Sequence, residues 1–157
     1  MRKRIVNPVP LQSVDSEHQW LDIEKLAMVE ITSEDDQFPI ESALLLDNAS
    51  GWRASESGEQ SIRLIFDTPQ KIQQIKLNFE ECEVERTHEY VLRCSSDGGQ
   101  SFQEIVRQQW NFSPEGATRE VQTYQVDLEP VTILELNITP DINNNNAFAS
   151  IKMLRVA

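Results

Sequence analysis

The chain has 157 residues, of which 39% are hydrophobic and 25% charged, with only five Gly and seven Pro. That length suits one domain able to bury roughly 70% of its extended surface without disulfides or metals, and the composition excludes collagen-like, coiled-coil and disordered classes. Fourteen Lys and Arg against 26 Asp and Glu give a formal charge of −12, which opposes a phosphate backbone, so duplex nucleic acid is not an expected partner.

Residues 1–30 read as an irregular N-terminal segment and residues 31–157 as a single domain. Met1-Arg2-Lys3-Arg4 has the charge of a secretion signal's start. Ile5 to Pro10 then carries two prolines where such a signal needs an apolar stretch of about 7–15 residues. Pro8 and Pro10 force extended backbone, and Asp15-Ser16-Glu17 offers a turn or a helix cap. Trp20, Leu21, Ile23, Leu26, Ala27 and Met28 suit either one helical turn or the approach to a first strand. After Glu34-Asp35-Asp36, the spacing of Ile40, Ala43, Leu44 and Leu45 predicts a short helix behind Pro39. Apolar runs such as Ala43 to Leu46 fall far short of the roughly 18 residues of a membrane span, so no membrane partner is expected.

From Ser61 the hydrophobic period is two. Ile62, Leu64 and Phe66 form one predicted strand, Thr68-Pro69-Gln70 a turn, and Ile75, Leu77 and Phe79 a second strand antiparallel to the first. Tyr90, Leu92 and Cys94 make a third. Ser96-Asp97-Gly98-Gly99-Gln100 supplies residues for positive φ, after which Phe102 is expected to re-enter the core. Val121 to Leu128 and Leu134 to Ile138 read as two strands broken at Glu129-Pro130, and Ile151, Met153 and Val156 end the series. About eight short strands with almost no helix indicate an all-β sandwich of two antiparallel sheets. Cys82 and Cys94 are too few for a disulfide framework and are expected as free thiols in a reducing cytoplasm, Cys94 on the buried face and Cys82 in an acidic loop.

Ala43 to Asn48 leading to Trp52, Ile62 to Asp67, Ile72 to Leu77, Tyr90 to Gly99 and Phe148-Ala149-Ser150-Ile151 resemble, in order and spacing, the discoidin or coagulation factor 5/8 type C domains. These are galactose-binding-like jelly rolls. The resemblance spans roughly residues 38 to 157, with the Ser-Ser-Asp-Gly-Gly turn before Ser101-Phe102 its most specific piece. A shorter likeness, in Trp52-Arg53-Ala54, Gly58-Glu59 and Ile62, is to the N-terminal domain of the X-ray repair cross-complementing scaffold protein. That jelly roll of the same superfamily binds a repair polymerase and is reported to bind broken DNA; the acidic balance here opposes the DNA contact.

The resemblance implies ligand binding by loops at one end of the sandwich, and three segments are candidates: Glu80 to Glu89, Trp110 to Arg119, and Asp141 to Phe148. A sugar needs a flat apolar face for its C–H side and planar hydrogen-bonding groups for its hydroxyls. Arg86, His88, Trp110, Asn145 and Phe148 supply those types, and Phe148 matches the aromatic that often stacks on sugar just before the Ala-Ser of the last strand. Packing accounts equally well for Phe148, and better for Trp52. The Asn143 to Asn146 run also reads as a loop with no partner, and Glu81, Glu83 and Glu85 as a solvated edge.

Catalytic signals are weak: the histidines are His18 and His88, with no nucleophile elbow, phosphate loop or metal pair, leaving only a remote Cys82–His88 dyad. The reading is therefore a non-enzymatic module, without cofactor, that recognises a glycan or another small polar ligand. The alternative is a protein-interaction scaffold meeting a protein partner with a sheet face or edge. The resemblance also implies a structural calcium site in the loop before the Trp. With Met153 where the acidic ligand would fall and Lys152 beside it, that site is expected to be absent or weak, the loop being closed by its own hydrogen bonds and by Trp52.

Overall fold

The computed structural model describes residues 20–157. The basic cluster, Pro8, Pro10, the Asp15-Ser16-Glu17 turn and His18 lie outside them. In chain order the elements are α1 (Ile23–Leu26), β1 (Ala27–Ile31), α2 (Glu41–Leu44), β2 (Trp52–Ser57), β3 (Gln60–Glu80), β4 (Arg86–Ser95), β5 (Gln103–Phe112), β6 (Arg119–Thr139), β7 (Phe148–Ile151) and β8 (Met153–Val156). All pairing is antiparallel. One sheet runs β1-β3-β6-β4-β5, with β8 also on β3, and β2 pairs with β7 in a separate ribbon. No described helix is long and apolar enough to cross a membrane.

The turn expected at Thr68-Pro69-Gln70 and the break expected at Glu129-Pro130 both lie inside continuous strands. β3 and β6 each run 21 residues and pair from Gln60–Ile138 to Glu80–Arg119. The register shifts between Ile65 and Gln74, opposite Gln125 to Ile133, and both Pro69 and Pro130 fall in that irregular stretch. A proline cannot donate to a ladder, so it is tolerated where the ladder is already interrupted. Across this stretch the buried positions of β3 switch from Ile62, Leu64 and Phe66 to Ile75, Leu77 and Phe79. The period-two reading of each half was sound, and the join between them was not a turn.

Residues before 31 also pack on the sheet. Leu21 donates its N–H to Val156 O at 2.7 Å, α1 buries Ile23, and β1 pairs with the first half of β3, so the chain from Leu21 onward is part of the sandwich. Both readings of the Trp20 to Met28 segment occur, a helical turn and then a strand.

The core holds Trp52, Phe79, Tyr90 and Phe112 with Ile62, Leu64, Ile75 and Leu77 of β3, Leu92 of β4, and Leu134 and Leu136 of β6, all at 2% exposure or less. Trp52 donates Nε1–H to Ser33 O at 3.1 Å. Gly98 and Gly99 adopt φ of 74° and 98°, as their turn requires. Phe102 does not enter the core: it lies half-buried on the outer sheet face between the guanidiniums of Arg63 and Arg93, 5.1 and 4.6 Å from its centroid.

The loop before Trp52 is closed by something the sequence reading missed. Besides its own bonds, such as Asn48 N–H to Leu45 O at 3.1 Å, it receives the buried Arg155 guanidinium from β8, which donates to the carbonyls of Ala43, Leu45 and Asn48 at 2.7–2.9 Å. Those carbonyls are the oxygens a cation would need. A fixed guanidinium among them repels a metal ion, so these residues do not fit calcium.

Candidate functional site

At one end of the sandwich the loop of residues 81–85, the start of β4, the loop of residues 141–147 and the start of β7 surround a concavity of about 290 Å³. Antiparallel pairing of β2 with β7, with Arg53 opposite Ser150, adds Arg53 to its wall. Phe148 is the most exposed aromatic there at 47%, and Val84 and Ile142 are exposed at the same end. Asn144 and Asn146 line the hollow, and Asn145 lies exposed at the loop tip between them. The 141–147 loop is shaped by short bonds: Asp141 Oδ1 accepts from Asn143 N at 3.0 Å, and Asn144 Oδ1 from Asn146 N at 2.9 Å. Asx turns of this kind are why an Asn run forms a defined bend.

Of the residues expected to bind ligand, the structure brings Arg86 and Phe148 together in the hollow, leaves Asn145 at the loop tip beside it, and separates His88 and Trp110 from it. Arg86 is the first residue of β4, not a loop residue, and is 6% exposed. Its Nη1 donates to Pro140 O at 3.0 Å and Phe148 O at 3.2 Å, its Nη2 to Ser150 Oγ at 3.3 Å, and its Nε lies 2.8 Å from Glu81 Oε1. Burial pulls its pKa below the usual arginine value, partly offset by Glu81. With nearly all its donors engaged, Arg86 positions the walls of the site.

His88, two residues along β4, points into the core and is 1% exposed, so it cannot meet a ligand. Its Nε2 lies 2.7 Å from Glu120 Oε1, and the rings of Phe79, Tyr90 and Phe112 enclose it. Burial lowers its pKa, the Glu120 contact works against that, and Arg86 adds to the lowering. Trp110 sits on β5 opposite His88, half-buried against the core and away from the hollow. The expected loop of residues 110–119 begins on a strand, and Trp110 there serves packing.

Cys82 and Cys94 are both free, Cys82 exposed and Cys94 buried. Cys82 Sγ contacts Glu80 Oε1 at 3.7 Å, and its thiol pKa is raised by local desolvation and by Glu80, Glu81 and Glu83. With His88 enclosed and bonded to Glu120, the two do not form a dyad. Among the described residues no group of three His, Cys, Asp or Glu is arranged to hold a metal ion.

The residue that sequence reasoning missed is Arg53. It is exposed, its guanidinium lies 5.1 Å from the Phe38 centroid, and among the described residues it has no hydrogen-bonded or ion-paired side-chain partner. The alternation that buries Trp52 and Ala54 turns Arg53 outward, but only the β2–β7 pairing shows that outward here means into the site.

Several solved structures share this architecture. A family-32 carbohydrate-binding module from a family 31 glycoside hydrolase of Clostridium perfringens superposes with a TM-score of 0.65 at 19% identity, covering 90% of this chain and 96% of that one. The family 32 module of C. perfringens NanJ, solved with galactose, gives 0.59 at 20% identity over 87% and 96%. The corresponding AlyQ module, solved with 4,5-unsaturated mannuronic acid, gives 0.62 at 18% over 89% and 98%. These likenesses establish a galactose-binding-like β-sandwich. No curated protein sequence matches the chain. The family model described as the XRCC1 N terminal domain matches residues 21–129, from the α1 approach through the first part of β6. On that match, covering well over half its length, this chain belongs to the XRCC1 N-terminal domain family.

Proposed function

We propose that the protein is a non-catalytic binding module whose loop-end concavity takes a neutral carbohydrate. The observation that carries this reading is the convergence in one hollow of an exposed Phe148, the Asn loop and an Arg53 that is unpaired among the described residues, held in place by a buried Arg86. An aromatic face suits the C–H side of a pyranose, and amide and guanidinium groups suit its hydroxyls. Glu81, Glu83, Glu85 and Asp141 face two guanidiniums across the same hollow, so an acidic sugar or a phosphate would meet more negative charge than positive. A glycan array with Phe148→Ala as control tests the reading. We expect saturable binding to neutral glycans, weakened about tenfold or more in the variant. A silent array overturns it.

A second reading, a protein-interaction scaffold, is favoured by the family match and by the outer sheet face. There Glu30, Arg63, Glu135, Arg93 and Glu104 lie opposite one another in register across β1, β3, β6, β4 and β5, a row of alternating charge beside the exposed Met28. A partner whose binding is lost in Met28→Asp and kept in Phe148→Ala would favour it over the first.

A further inference from the structure

The hollow beside Phe148 does not end at Arg53. Beyond that side chain lies a second one of about 180 Å³, walled by Phe38, Ser50, Gly51, Glu80 and Lys152. The two share Arg53, Glu81, Glu83 and Ser150, so they are direct neighbours with Arg53 between them. Small-ligand pockets commonly measure about 300–1,000 Å³. The first hollow lies at the lower edge of that range, the second below it, and only the joined pair falls inside.

The local fold explains the arrangement. Arg53 N–H donates to Phe38 O at 3.1 Å and Asp35 N–H to Arg53 O at 2.8 Å, which holds the 35–38 turn under the arginine. The guanidinium lies over the Phe38 ring, and its N–H groups, which have no partner among the described residues, can donate to a ligand. Gly51 keeps the floor of the second hollow open: its φ is +101°, and a Cβ there would come within 3.3 Å of Ile151 O. Lys152 supplies a further donor, and Ser50 and Glu80 supply acceptors.

We propose that this end of the molecule is a two-subsite groove with Arg53 at its centre, and that its ligand is an oligosaccharide engaged through two adjacent sugar units. One unit stacks on Phe148 beside Asn144 and Asn146. The next lies over the second hollow against Lys152 and Ser50, and Arg53 donates to both. This rests on the carbohydrate reading above and goes beyond it in the length of ligand recognised.

The test is an array of monosaccharides with matched di- and trisaccharides of the same linkage, probed with the intact chain and with Arg53→Ala and Lys152→Ala. Both side chains are at least partly exposed, and thermal melts check that the variants remain folded. Disaccharides should bind the intact chain at least about tenfold more tightly than their monosaccharides, a ratio that falls to within about threefold in either variant. Equal affinity for both lengths in the intact chain, or a ratio unmoved by both substitutions, overturns the two-subsite groove while leaving carbohydrate recognition standing. Silence at every length overturns both.

Discussion

Burial among three aromatic rings pushes the His88 pKa below the usual histidine value, against the pull of Glu120. A histidine depressed in the folded state favours folding fully above its unfolded pKa, and that contribution is lost as pH falls, because the unfolded chain takes up the proton first. Stability should therefore decline below about pH 6.5, this one group contributing a slope of at most about 1.4 kcal/mol per pH unit. Urea unfolding at pH 7.5 and 5.5 checks this: the loss should be smaller in His88→Gln, and an identical loss would remove His88 from the account. The thiols give a second prediction at this scale. Native alkylation should label Cys82 first despite its raised pKa, since Cys94 is only 7% exposed and burial also pushes its thiol up. Labelling of Cys94 at an equal rate would show that β4 opens readily.

At the scale of elements, arginines link segments that the strand ladders leave apart. Arg86 joins β4 to Pro140 and β7, and Arg155 joins β8 to the end of α2. Arg155→Met removes a buried guanidinium that satisfies three loop carbonyls and should destabilise the protein by about 2–4 kcal/mol. For the same reason, melts of the wild type with millimolar calcium and with chelator should coincide. A rise of several degrees on adding calcium would show that the ion competes with the guanidinium. This device was hidden in the sequence because Arg155 and its acceptors lie 107–112 residues apart, and backbone carbonyls carry no sequence signal. The long strands were hidden for another reason. Thr68-Pro69-Gln70 and Glu129-Pro130 have turn chemistry, and the same residues suit an interruption in a ladder; pairing between the distant segments decides which occurs.

For the whole molecule, charge sets what can approach. With a formal charge of −12 there is little to release counterions from a duplex, and the arginines on the outer sheet face share the buried Glu135: Arg63 Nε donates to it at 2.5 Å, and Arg93 bonds to it as well. A fluorescence titration with nicked duplex at about 0.15 M salt should show no sub-micromolar binding, and its appearance would refute the electrostatic argument. The sequence by itself determined the strand periodicity, the class of fold, the Gly98-Gly99 turn and the core placement of Trp52 and Cys94, because these follow from local backbone preference and from alternation along one strand. Only the tertiary structure decided which polar groups meet at the site. Arg86 and His88 share a face of β4, yet the chain packed above them makes one the frame of the hollow and buries the other against Glu120. Arg53 becomes a donor facing the ligand through its pairing opposite Ser150. Such placements depend on contacts between segments far apart in the chain, whereas periodicity reports only which side of its own strand a residue occupies.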